Sequence, residues 1–184
     1  MIKKVILSAI GTAIVALALM SGQQTLARWS DAERVPGGDI RSGTLDLTVG
    51  DDATQASDYQ FSALGRVDLA PGQFVQAPLV IRNAGDSPLT FRLERVTQSN
   101  AELPLTVNVT LISDVAACPA SGTPTGEVLL PDTPATDAQV PAAPAARTLS
   151  VGAQEIWCFR ATVGVSAPPS TDSTLTFGFR ADQT

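Results

Sequence analysis

The side chains best equipped for chemistry are carboxylates. Asp51, Asp52 and Asp58 fall close together, and a hard cation such as calcium takes six to eight oxygen ligands of that kind. The run lacks the spacing of an EF-hand loop and reads more simply as a polar turn. Acid pairs for glycoside hydrolysis meet only in a fold, so spacing leaves them open. The low aromatic content, 5%, argues against a sugar-stacking cleft. The chain has no histidine, which removes the H-E-x-x-H zinc site and the serine and cysteine triads that use an imidazole base. The remaining reactive groups are Cys118 and Cys158, outside any C-x-x-C motif. The expectation is therefore a protein without catalytic residues, without metal ligands and without a cofactor. "LPDTP" from Leu130 has the outline of a sortase signal, but no apolar anchor or basic tail follows it. "NVT" at Asn108 is a formal glycosylation sequon in the middle of an alternating run.

The chain has 184 residues, enough for one domain with a core of its own plus a targeting segment. Lys3 and Lys4 precede an apolar stretch from Val5 to Met20 that breaks at Ser21-Gly22. A basic start, an apolar run shorter than the roughly 20 residues a spanning helix needs, and small residues beyond it predict a signal peptide over residues 1–27. Thr25 and Ala27 would precede the cut and Arg28 would follow it; a retained anchor is the alternative. Both lysines lie in that segment, so residues 28–184 carry ten arginines against 18 acidic residues, a formal charge of −8. Such a surface repels phosphate and argues against nucleic acid as a partner. A membrane would be met only through an uncleaved signal. In an exported chain an even cysteine pair predicts a Cys118–Cys158 disulfide, with two free thiols as the alternative.

Alternation at period two recurs along residues 28–184. It places Leu45, Leu47 and Val49 on one face, then Leu89, Phe91 and Leu93, then Leu105, Val107, Val109 and Leu111. Trp157, Phe159, Ala161, Val163 and Val165 follow, and then Leu175, Phe177 and Phe179. With Pro-Gly, Asn-Ala-Gly-Asp and Pro-Pro punctuation between the runs, the pattern predicts an all-β antiparallel sandwich of seven to nine strands in a single domain over residues 28–184. Residues 119–146 hold six of the 13 prolines and read as a long extended or disordered loop inside that domain, with the short "EVLL" touching an edge.

The order of these features resembles the TasA/camelysin family of exported bacterial proteins. The first landmark is Ala27 ending the signal, then Trp29, Ser30-Asp31 and a "GTLDL" strand from Gly43 to Leu47. The second is Leu69 and Pro71-Gly72 leading into a strand that ends at Asn83 and Gly85, with Gln73 in place of the usual acid. The resemblance covers residues 1–95. It implies a jelly-roll-like sandwich behind an N-terminal signal helix, cut by a SipW-type signal peptidase, which would be a partner during export. It also implies secretion to the extracellular space or cell surface and a structural role as a biofilm matrix or fibre subunit. The camelysin branch has been classed as metallopeptidases, an activity that a chain without histidine departs from. A monomeric surface adhesion or binding module is the alternative reading.

Cleavage would free a short extended segment comprising Arg28, Trp29, Ser30, Asp31, Ala32, Glu33, Arg34 and Val35. Main-chain hydrogen bonds let such a segment add to an open sheet edge of a neighbouring copy or another matrix protein. Trp29 would be the side chain to fill a pocket there. The alternative is that the same eight residues form the first strand of their own sandwich.

Overall fold

A computed structural model describes residues 43–138 and 146–184. The signal segment, the Thr25/Ala27/Arg28 cleavage region and the candidate donor residues Arg28 to Val35 lie outside the described residues.

The described residues form nine strands, five of which (β1, β4, β5, β8 and β9) carry the alternating runs: β1 (Leu47–Gly50), β2 (Gln55–Ala56), β3 (Phe74–Asn83), β4 (Leu89–Gln98), β5 (Leu105–Ile112), β6 (Gly126–Pro134), β7 (Arg147–Leu149), β8 (Gln154–Val163) and β9 (Leu175–Gln183). All pairings are antiparallel. They form a six-stranded sheet in the order β2-β1-β3-β8-β5-β6 and a three-stranded sheet in the order β7-β4-β9. The described residues contain three short 3-10 turns and no α-helix, as expected where no window sustains a 3.6-residue stripe.

The core lies between the sheets. Trp157, Phe159 and Ala161 of β8, Val107 and Val109 of β5, and Leu79 and Ile81 of β3 face Leu89, Phe91, Leu93 and Val96 of β4. Leu93 and Val96 share the inner face although three positions apart, because the β4–β9 register shifts between Leu93 and Arg95. A bulge adds the residue that the alternation needs. Aromatic rings knit the layers: Trp157 lies 5.4 Å from Phe91 and 5.9 Å from Phe179, and Phe159 lies 4.9 Å from Phe177. The wholly buried Trp157 keeps its Nε1–H satisfied by donating to Glu155 Oε2 at 2.8 Å, and Arg147 Nε pairs with the same carboxylate. Burying such a polar atom without a partner would cost more than the ring contributes at its edge.

Three expectations change. Residues 119–146 are not one irregular loop, because Gly126 to Pro134 form β6 along β5, and Leu130, Ala135 and Ala138 enter the core. The prolines are accommodated because β6 is an edge strand, where a missing N–H leaves no ladder bond unmade. Within this segment, residues 139–145 lie outside the described residues. The first strand begins at Leu47 and not at Gly43, since the Thr44 and Asp46 carbonyls are engaged by Asp86 N and Ala84 N of the β3–β4 turn. Leu45 is accordingly exposed. The run through Trp157 stops at Val163, and Val165 stands 87% exposed.

Cys118 and Cys158 are bridged. With Ile112, Ile156 and Ala117 they form a second small core on the outer face of the six-stranded sheet. The lap of chain after Cys118 is held there by polar contacts. Gln76 Nε2 donates to Pro119 O, and Arg160 donates to Gln76 Oε1 at 2.7 Å and to Gly122 O while its guanidinium lies 4.2 Å from the centre of the Phe74 ring. The bridge spans a sequence separation of 40, which on the loop-closure account lowers unfolded-state entropy by about 4 kcal/mol. Combining Cys118→Ala with Cys158→Ala should lower the unfolding free energy by about that amount in a denaturant titration; an unchanged midpoint would show that the bridge adds nothing to stability.

Candidate functional site

The sheet edges differ in what they offer to another chain. Among the described residues, β2 has two residues, β7 has three, and β6 carries Pro131 and Pro134. The nine residues of β9, "LTFGFRADQ", contain no proline and, among the described residues, pair along one side only, with β4 from Leu89↔Gln183 to Gln98↔Leu175. An edge of this length without such protection is a template for strand addition. Its solvent-side charges are paired locally: Arg180 meets Asp182 at 3.1 Å and Glu94 at 3.7 Å. The hydrogen bond from Arg180 holds the Asp182 carboxyl below its ordinary range.

Beside β9 the inner face of the six-stranded sheet is covered by loop, not strand. The turn Ser62–Leu64 packs on β3 and β8. Leu64 is buried, and Phe61 sets its ring edge-on to Phe159 at 5.9 Å and Phe177 at 6.3 Å. Between this loop, the start of β9 and residues 167–174 lies a groove of about 990 Å³ whose apolar lining includes Phe61, Leu64, Val75, Leu105, Val163 and Phe177. Arg66, Asp68 and Asp172 stand among its charged lining. Asp68 and Ser170, which also line it, are the two non-glycine residues with positive φ among the described residues, at 59° and 58°. Such backbone conformations are held by their surroundings at a cost of order 1–3 kcal/mol.

The carboxylate run is otherwise engaged. Asp51 closes the β1–β2 turn, accepting from Ala53 N at 2.9 Å and Thr54 N at 2.6 Å, and from Tyr59 Oη at 3.2 Å. The Thr54 and Ala53 amides, in that order, lower its pKa. Burial and then the Asp51 carboxylate raise that of Tyr59. Asp52 and Asp58 are exposed. Among the described residues no three cysteine, aspartate or glutamate side chains converge.

The second sequence landmark has a structural role at both ends of β3. Gly72 takes φ +82° in the turn before it and donates to Val163 O. Gln73 closes that turn by accepting from Ala70 N through Oε1, the same service that a carboxylate would give. At the far end Asn83 is wholly buried. Its Nδ2 donates to Ser87 O and Leu149 O, and its Oδ1 accepts from Gly85 N. A Cβ at Gly85 would strike the Thr44 carbonyl oxygen. Asn83 thus ties the β3–β4 turn to β7, which joins the two sheets at that pole. Alternation gives no sign of Phe61, Leu64 or the groove, because none belongs to a periodic run.

No protein-family model matches the chain, and no curated protein matches it. Replacing Asn83 with alanine orphans two carbonyl oxygens and an amide and should destabilise the protein by about 2 kcal/mol. Denaturant unfolding of the Asn83→Ala protein measures this, and a change within a few tenths would show that water replaces the side chain.

Proposed function

We propose that this protein is a secreted structural subunit of the bacterial cell surface, a TasA-like, jelly-roll-type component of biofilm matrix fibres that assembles by strand addition. It is exported behind residues 1–27, released by a SipW-type peptidase, and has no catalytic role. The observation that carries the reading is β9, a nine-residue strand edge without proline beside an apolar groove.

The long edge of β9 and the groove beside it support assembly between copies. Gly43 enters at the pole of the β3–β4 turn, where Thr44 N donates to Asp86 Oδ1. The groove lies at the other pole, beside the start of β3, β5 and β9 and the end of β8. A segment of one subunit that adds along β9 of the next makes a heterologous contact. Repetition of such a contact without closure gives an open filament. The groove volume also suits a ligand, which favours the second reading, a monomeric surface binding module.

Secreted material should begin at Arg28 by N-terminal sequencing or intact mass; a start that retains Val5 to Met20 would mean an anchored protein. Protein beginning at Arg28 should form fibres visible by electron microscopy and sedimentation, and Trp29→Ala should weaken assembly by the roughly 2–3 kcal/mol that a large aromatic contributes on burial. A form lacking residues 28–35 should remain dispersed. Fibres of equal length from all three would remove strand addition, and dispersed protein from all three would favour the binding module.

A further inference from the structure

The inner face of the six-stranded sheet next to β9, which a strand added there would overlie, carries the protein's own loop. The inner face of β3 and β8 continues past β9, and there it carries Phe61, Leu64 and the turn Ser62–Leu64. Neither side chain belongs to a strand, yet Leu64 is 9% exposed and Phe61 touches the aromatic rings of both sheets. The loop is tethered at one end by Tyr59 Oη donating to Asp51. Toward the other end Asp68 carries a positive φ. It does not fill the space: the groove of about 990 Å³ runs between it and β9. The apolar side chains of Phe61, Leu64 and Phe177 therefore border open space on one side.

We propose that the loop over residues 58–69 is an internal plug that covers this face in the dispersed protein and is displaced when a second copy of the chain adds its strand along β9. This rests on the strand-addition reading and deepens it by naming the contact that opposes assembly. Phe61 is its main anchor. An incoming strand replaces the apolar cover that Phe61 and Leu64 provide and adds main-chain bonds to β9 that the loop does not make. The exchange is therefore favourable once begun and slow to begin, because the anchor must leave before the replacement arrives. A barrier of this kind would keep a secreted subunit dispersed until copies are concentrated.

Two measurements on protein beginning at Arg28 test the plug. Phe61→Ala should shorten the lag of fibre assembly severalfold relative to wild type, while Leu130→Ala, at a buried position of the edge strand β6 on the other flank, should not. Equal acceleration by both would reduce the effect to general destabilisation and overturn the proposal. In a Leu64→Cys protein, whose new thiol is free because Cys118 and Cys158 are bridged, a maleimide should label slowly before assembly and severalfold faster afterwards. Slow labelling in well-formed fibres would overturn the plug and leave strand addition standing. Failure of the wild-type protein and every variant to assemble would overturn strand addition itself and the plug with it.

Discussion

The organising constraint is a mismatch of widths. Among the described residues a six-stranded sheet presents an inner face that a three-stranded sheet cannot cover, and apolar surface left in water costs about 25 cal/mol per Å². The chain resolves this with non-strand cover on both flanks of the narrow sheet. On one flank the turn Ala135–Asp137 lies against β4 and β5 with Ala135 and Ala138 buried. On the other the turn Ser62–Leu64 lies against β3 and β8. Between them the rings of Phe91, Trp157, Phe159, Phe177 and Phe179 lock the sheets together. The first flank is closed by short, well-buried alanines. The second is covered by a looser loop over a groove, and it adjoins the longest strand edge without proline among the described residues.

Much of this architecture is legible in the alternation. Leu89, Phe91 and Leu93, Val107 and Val109, and Trp157, Phe159 and Ala161 all face the core because period two puts every second side chain on one side of a strand. Alternation fails where tertiary context decides. It overruns at Leu45 and Val165, which look like continuing strand but stand exposed past the ends of β1 and β8. It misses most of β6, because Pro131 and Pro134 signal a loop unless the strand is known to lie at an edge. The disulfide is predictable from cysteine parity and compartment, but its second small core on the outer face of the sheet is not.

The candidate site was less legible than the fold. The proposal of strand addition starts from the segment over residues 28–35, whereas the edge that would receive the strand is β9, far from it in the sequence. An edge is defined by which partner is missing, a property of the pairing and not of any residue in "LTFGFRADQ". Phe61 and Leu64 are similarly silent, since a loop residue becomes a core residue only when the sheet opposite proves too narrow. Asn83 and Gly85 were visible as a landmark, and their reason is physical: one buried amide satisfies a turn and a neighbouring strand, and one missing Cβ lets the Thr44 carbonyl approach.

The width mismatch and the assembly reading meet at one place, the side of β9 left unpaired among the described residues, so the direct test is on its amides. Hydrogen exchange should be followed across Leu175–Gln183 in protein beginning at Arg28, dispersed and then assembled. Alternate β9 amides that exchange freely in the dispersed protein should become strongly protected in the assembled one, because main-chain bonds to an added strand remove them from water. Assemblies in which β9 exchanges as fast as in dispersed protein, with protection gained elsewhere, would contradict the account.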